Sequence, residues 1–219
     1  MLSVESVQAS IKPLRLIFWG GLVCFFDFTI SLDGASFDIF NDTLGMVLIT
    51  FGANSLFRIE VHDRYASSMQ FVQRIALISI FAGVIEYFFP EMPIIISFGL
   101  GIFGIIELVA IYVFCSALCM FCSEASLSSC VKSWKVTRNL FLYIYILPLS
   151  IFQLFSLWAM VSEEPLIFQP GPAVLIFLII FFIPIIHLFV STSRMSKGME
   201  ALAGLVDHYE DDDISLSDE

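Results

Sequence analysis

The chain has 219 residues, of which 58% are hydrophobic and 14% charged, with a mean hydropathy of +0.92. Soluble domains are about half apolar and about a quarter charged, so a soluble fold of this length could not bury so much apolar surface. The net charge is −11, but seven acids and no base lie in residues 207–219, so the acidity belongs mostly to a tail. No basic patch indicates nucleic-acid binding.

Six apolar stretches, taken in chain order, are read as membrane spans. A bilayer core about 30 Å thick needs about 20 apolar residues at roughly 1.5 Å of rise each. The stretches lie at about residues 14–32, 43–57, 71–89, 93–122, 140–161 and 172–190. The sequence therefore predicts an all-α, polytopic membrane protein, in which residues 1–198 form one six-helix transmembrane bundle.

All ten Lys and Arg residues fall on one side of this six-span arrangement. They lie before or at the start of the first span, between the second and third spans or at the start of the third, between the fourth and fifth, or after the sixth: Lys12, Arg15, Arg58, Arg64, Arg74, Lys132, Lys135, Arg138, Arg194 and Lys197. The loops on the other side carry acids and no base. By the positive-inside rule both termini are cytoplasmic, and an odd number of crossings would break the pattern.

The fourth span is predicted to be the central packing helix. At about 100° per residue, a narrow stripe along it is made mostly of small residues. These are Ser97, Gly101, Gly104, Cys115, Cys119 and Cys122. Small residues let helix backbones approach closely, which is a main source of helix association in lipid.

The cysteines of this span have a second interpretation. Cys115, Cys119 and Cys122 share one helix face, where three thiols would suit a soft metal such as Cu(I). Packing is the favoured interpretation, because free cysteine mostly behaves as a small hydrophobe. We therefore expect no metal and no cofactor. Acylation of Cys122 or Cys130 at the inner face is left open.

Three acids lie inside the predicted spans, where a charged carboxylate costs at least about 2.5–3.5 kcal/mol. Asp27 and Glu86 lie a few residues below the outer ends of the first and third spans, and Glu107 lies nearer the midplane. Such residues are candidate functional groups, Glu107 above all. Candidate neutral partners are His187 of the sixth span, Asn54 of the second and Gln153 of the fifth. The alternative is a protonated acid that is hydrogen-bonded to a neighbouring group.

Residues 35–49 contain a Phe-Asp-Ile run, an aspartate and a glycine that lead into the second span. They resemble a segment, F-D-I-x-P-D-x-x-G-x-x-L-I, of small multi-pass bacterial membrane proteins of unknown function. The matching residues are Phe37, Asp38, Ile39, Asp42, Gly45, Leu48 and Ile49, with Asn41 in place of the proline. The resemblance implies a bacterial inner-membrane location and no known activity. Asp42 is predicted to cap the second span, and a cation held by Asp33, Asp38 and Asp42 is the alternative.

Residues 199–219 are predicted to form a disordered, acidic cytoplasmic tail. The end of this tail, HYEDDDISLSDE, is strongly charged and poor in apolar residues. A solubilising role is the favoured interpretation, and a docking segment is the alternative.

The sequence carries no motif of an enzyme. It lacks the Gly-x-Ser-x-Gly and His-Glu-x-x-His motifs of hydrolases and the Walker sequence of ATPases. The favoured hypothesis is a non-enzymatic subunit in the lipid bilayer that packs with itself, as a homo-oligomer, or with a membrane-protein partner. The alternative is a small proton- or cation-linked transporter or channel subunit that uses Glu107.

Overall fold

The computed structural model describes residues 4–25, 29–32, 35–38, 42–88, 93–162, 171 and 173–215. Seven α-helices and one hairpin make up this part of the chain. They are α1 (Val4–Phe25), β1 (Thr29–Leu32), β2 (Ala35–Asp38), α2 (Asp42–Phe57), α3 (Asp63–Phe88), α4 (Ile94–Glu124), α5 (Ser128–Leu140), α6 (Leu147–Ser162) and α7 (Ala173–Ser215). A π-helical stretch, Phe141–Ile146, joins α5 to α6.

Within the described part of the chain, four helical stretches are long and apolar enough to cross a membrane: Asp63–Ile85, Ile94–Glu124, Ser128–Ser162 and Ile179–Gly204. Thr43–Phe57 is apolar but shorter. The 31 residues of α4 extend about 46 Å, which exceeds the roughly 30 Å of a bilayer core. These helices agree with the predicted α-helical membrane protein.

The first predicted span differs from the structure at its outer end. α1 ends at Phe25, and Thr29–Leu32 is a strand instead of a continuation of the helix. The hairpin is antiparallel, with Leu32 opposite Ala35. The two residues between the strands are Asp33-Gly34, a preferred two-residue hairpin connection. This local preference explains why the chain turns where the apolar run alone predicted a longer helix.

The helix from Ser128 to Ser162 contains the π-helical stretch at its centre. The N–H of Leu147 bonds to the carbonyl of Leu142, five residues earlier. Pro148 follows directly, and its ring has no N–H to donate and crowds the carbonyl four residues earlier. A wider π turn accommodates that crowding without ending the helix.

The acidic tail also differs from its prediction. The main chain of α7 stays helical through Ser215, whereas disorder was expected from residue 199 onward. Between Gly204 and Ser215 the sequence has neither glycine nor proline. Extending an existing helix costs far less than nucleating one, so a helix already formed in the membrane continues into the charged segment.

The buried core lies at one end of the bundle, which we call the basic end. It is formed by the start of α1, the α2–α3 and α4–α5 connections, α5 and the middle of α7. Trp134 is fully buried there, where it packs edge-on against Phe114 at 6.0 Å between ring centroids and donates Nε1–H to Met195 Sδ at 3.2 Å. Tyr65, also fully buried, donates its hydroxyl to the main-chain oxygen of Leu56 at 3.2 Å. The Lys and Arg residues belong to these same segments.

α1 and α2 approach each other so closely that only glycine fits between them. A Cβ added at Gly45 would lie 2.6 Å from the main-chain oxygen of Gly20, and one added at Gly52 would lie 2.8 Å from that of Pro13. Backbone atoms cannot move aside as a flexible side chain can. This glycine contact joins the first two helices, whereas the sequence prediction placed the small-residue packing on the fourth span.

The other half of the bundle, which we call the open half, exposes large apolar side chains. It consists of the N-terminal part of α4, α6 and the membrane part of α7 nearest its start. Ile95 is 73% exposed, Leu154 67% and Val161 75%. A polar bond links α4 to α6 here, from Gln153 Nε2 to the main-chain oxygen of Phe98 at 3.0 Å. In a bilayer, side chains exposed in this way face lipid or another protein.

Candidate functional site

A cluster of three hydroxyl groups and one imidazole lies between α5 and α7 at the basic end. Thr137 Oγ1 is 2.8 Å from both His187 Nδ1 and Ser191 Oγ. Ser191 Oγ is in turn 2.7 Å from Ser133 Oγ and 3.3 Å from His187 Nδ1. The three hydroxyl residues are buried, so these bonds take the place of bonds to water.

In this cluster, the acceptor to which the Thr137 hydroxyl donates determines which ring nitrogen of His187 carries the hydrogen. Thr137 Oγ1 lies 3.1 Å from the main-chain oxygen of Ser133, one turn earlier on α5, and can donate to it. A hydroxyl has a single hydrogen, so while Thr137 donates there it must accept from His187, which then carries its hydrogen on Nδ1. The result is a polar connection between two helices, a type of contact that contributes about 0.6 kcal/mol on average in membrane proteins.

The sequence prediction included His187 but not the hydroxyl residues around it. Ser133 and Thr137 are four residues apart on α5, and His187 and Ser191 are four residues apart on α7. Each pair therefore lies on one helix face. Two polar pairs of equal spacing on neighbouring apolar helices are the signal that would have identified the cluster.

The three acids of the predicted polar site are described to different extents. Glu107 is half-buried on α4 and has an interaction partner. Asp27 lies outside the described residues, and so does the side chain of Glu86, whose main chain belongs to α3. The described bonds of His187 go to α5 and to its own helix, within the hydroxyl cluster.

The stripe of small residues on α4 is divided between the two halves of the bundle. Its three cysteines are buried at the basic end: Cys115, Cys119 and Cys122. Ser97 is exposed in the open half. A Cβ added at Gly101 would meet Gln153 Nε2 at 3.0 Å, whereas one added at Gly104 meets nothing within 4 Å among the described residues. The stripe thus packs fully at only one of its ends.

The buried thiols make bonds of the kind expected for packing residues. Cys119 Sγ donates to the main-chain oxygen of Val131 and Cys130 Sγ to that of Arg194, each at 3.8 Å. Among the described residues, no group of three or more His, Cys, Asp or Glu side chains is placed to hold a metal ion. Cys122 and Cys130, considered for acylation, are both buried.

Asp42 is the first residue of α2, so the helix begins where the cap was predicted. The side chain of Asp42 lies outside the described residues, as do Asp33 and the side chain of Asp38. The cap and the alternative cation site therefore stay predictions.

An apolar cavity of 350 Å³ lies between α1, α2, α4, the π-helical stretch, α6 and α7. Its lining is almost wholly aliphatic and aromatic, with Tyr145 and Thr192 among the few polar residues. The Tyr145 hydroxyl donates its hydrogen to the main-chain oxygen of Phe181, so that hydrogen is not available to a ligand. Leu108 and Ile111 of α4 line the cavity, and Glu107 is not among the lining residues. The cavity therefore suits an apolar ligand.

No protein-family model, curated protein or solved structure matches this chain.

Proposed function

We propose that the protein is a non-enzymatic membrane subunit. It crosses the bilayer six times, with both termini in the cytoplasm, and resides in the bacterial inner membrane. It associates through its open half with a second copy or with another membrane protein.

The pairing of α1 with α2 supports an even number of crossings. Gly20 lies against Gly45, while Gly52, further along α2, lies against residues nearer the start of α1, so the helices run antiparallel. α2 has 16 residues and a length of about 24 Å, which is shorter than the bilayer core. Because α1 and α2 are antiparallel, the start of α1 and the end of α2 nevertheless lie at the same end of the bundle. Arg15 forms an ion pair with Glu200, which brings the first and last helices to that same end. By the positive-inside rule, this end is cytoplasmic.

The observation that carries the subunit proposal is an exposed apolar face on α4, which we call the Gly99 face. Ile95, Gly99, Ile102 and Ile106 follow the three- and four-residue spacing of one helix face, and all four are exposed. Nothing in the described chain lies within 4 Å of a Cβ added at Gly99. A glycine in such a face lets a second backbone approach closely, and close packing is what joins helices in lipid.

Photo-crosslinking in the native membrane tests the proposal. A photoreactive amino acid replaces Ile102 on the Gly99 face or, as the matched control, Ile78, an equally apolar and exposed residue of α3. We expect a protein adduct from position 102 and only lipid adducts from position 78. The mass of the adduct distinguishes a second copy from another protein. Lipid adducts alone from position 102 would refute association through this face.

A second variant tests whether the protein adduct at position 102 depends on Gly99. Gly99→Leu, in the chain labelled at position 102, is expected to lower the adduct yield, because the added side chain holds the partner backbone away. Gly204→Leu is the control, since Gly204 is also a helical glycine with nothing described within 4 Å of an added Cβ. Equal yields for the two variants would mean that the contact does not depend on close approach at Gly99.

A second candidate function is proton- or cation-linked transport through Glu107. It is favoured by the position of this half-buried carboxyl group near the middle of α4. The test compares proton flux in vesicles that contain the wild-type protein or Glu107→Gln. Flux that disappears in the variant would support transport, and equal flux would remove this candidate.

A further inference from the structure

A basic groove adjoins the apolar cavity on the side of the bundle's basic end. It encloses 310 Å³ and is lined by residues of α1 and α7: Arg15, Phe18, Trp19, Thr192, Ser193, Ser196, Lys197 and Glu200. Phe18 and Thr192 also line the cavity, so the two spaces share a wall. A neighbouring depression, which shares Phe18 and Lys197 with the groove, adds Arg194.

The groove carries an excess of positive charge. Arg15 and Lys197 line the groove and Arg194 lines the depression beside it, whereas Glu200, which pairs with Arg15, is the one acid among the described lining residues of the two spaces. All three cations are exposed, so an anion reaches them without opening the fold. Ser193 adds a hydroxyl group that can donate to a phosphate oxygen, whereas the Ser196 hydroxyl donates to Glu200 at 3.3 Å.

The level of the groove in the membrane follows from its composition. Trp19, 59% exposed, lies one turn from Arg15 on α1. Tryptophan concentrates at the membrane–water interface, and Lys and Arg concentrate on its cytoplasmic side. The groove therefore lies at the depth of the lipid headgroups, and the cavity beside it lies at the depth of the acyl chains.

We propose that the cavity and the basic groove together bind one anionic phospholipid. An acyl chain occupies the apolar cavity, and the phosphate lies against Arg15, Arg194 and Lys197. The cavity volume of 350 Å³ falls within the range of about 300–1,000 Å³ that is usual for small-ligand sites.

The preference for an anionic lipid comes from the groove rather than from the cavity. An acyl chain gains little on moving from the bilayer into a protein cavity, because lipid tails are as apolar as leucine side chains. The headgroup charge is what differs between lipids, and basic pockets between helices on the cytoplasmic side bind anionic headgroups. We therefore expect phosphatidylglycerol to be retained in preference to phosphatidylcholine.

The experiment counts lipids bound to the intact protein by native mass spectrometry after reconstitution in mixed vesicles of phosphatidylglycerol and phosphatidylcholine. The wild-type protein should retain one phosphatidylglycerol. The double variant Arg194→Gln/Lys197→Gln should bind it roughly 25-fold more weakly, taking about fivefold for each lost cation. Lys132→Gln/Lys135→Gln removes the same charge from α5, outside the groove, and should leave binding unchanged.

A cavity variant separates a lipid from a free anion. Gly21 lines the cavity, and nothing described lies within 4 Å of an added Cβ, so Gly21→Leu can fold while its side chain occupies the space for the acyl chain. It should lower phosphatidylglycerol binding with all groove cations intact. Unchanged binding in this variant, together with displacement by inorganic phosphate, would show an anion site without a lipid chain. Equal retention by the wild-type protein and the Arg194→Gln/Lys197→Gln variant would also overturn the proposal.

Discussion

The basic end and the open half of this bundle share α4 and α7 but are held together differently. At the basic end, α4 buries its cysteines against α5, and Trp134 and Tyr65 have both apolar contacts and hydrogen-bond partners. In the open half, α4 exposes isoleucines and accepts a hydrogen bond from Gln153 of α6. Uniformly apolar sequence therefore does not indicate which part of a membrane helix packs within the chain.

The two sets of glycines show the same contrast. Gly20, Gly45 and Gly52 lie where α1 and α2 meet at backbone distance. Gly99 and Gly104 lie on α4 with open space among the described residues. Glycine permits close approach in lipid, but a partner backbone has to be present before it contributes to packing.

The largest effect is expected from removing a buried ring at the basic end. Trp134→Ala should lower the free energy of unfolding by about 3–5 kcal/mol, because it leaves a cavity beside Phe114 and a lost bond to Met195. Trp158→Ala is the matched variant in the open half, where the ring is 61% exposed. It should change the free energy of unfolding by less than about 0.5 kcal/mol. Unfolding by SDS in mixed micelles, followed by circular dichroism, measures both. Similar losses would contradict the division into a packed end and an open half.

A smaller effect is expected from adding one methyl group to a glycine. Gly45→Ala should destabilise the protein by about 1–3 kcal/mol, since the new Cβ meets the Gly20 main chain at 2.6 Å. Gly104→Ala should be neutral or stabilise it by up to about 1 kcal/mol, through the better helix propensity of alanine. The same unfolding assay compares them. If Gly104→Ala lowers the free energy of unfolding as much as Gly45→Ala does, then Gly104 is packed against another part of the protein.

The smallest of the three effects concerns the hydroxyl cluster. Thr137→Val keeps the shape of the side chain and removes its bonds to His187 and Ser191, which should cost about 0.6–1.7 kcal/mol. Thr50→Val removes a hydroxyl that bonds to Met46 on its own helix and should cost less. If the two variants unfold alike, the cluster does not join α5 to α7 energetically.

Helix positions in this protein follow from apolar runs, and the predicted segments at 43–57, 71–89 and 93–122 lie within or close to α2, α3 and α4. The hairpin at Thr29–Leu32 was missed because its residues continue an apolar run, although Asp33-Gly34 is a turn signal. The sequence predicts disorder for the end of α7 because its residues are highly charged. Charge composition alone does not take into account that a preceding helix can be extended at low cost.

The candidate sites were harder to predict than the helices. His187 was selected for its polarity inside a span, but its partners depend on how α5 and α7 face each other, which spacing on one helix does not determine. The basic groove combines Arg15 with Lys197, residues 182 positions apart that one helix pattern cannot connect. The small-residue stripe was visible in the sequence, but its division into a buried and an open part depends on where neighbouring helices separate.

The π-helical stretch Phe141–Ile146 has a consequence for the orientation of the helix that follows it. Each residue advances an α-helix by about 100°, so one wide turn has the effect of inserting a single residue and rotates everything beyond it by about that angle. Gln153 reaches Phe98 of α4 in this rotated setting. Deleting one residue from the stretch would turn a different set of α6 side chains toward α4 while α5 kept its place. The length of a six-residue segment, rather than the chemistry of α6, thus determines which side chains that helix presents to its neighbours.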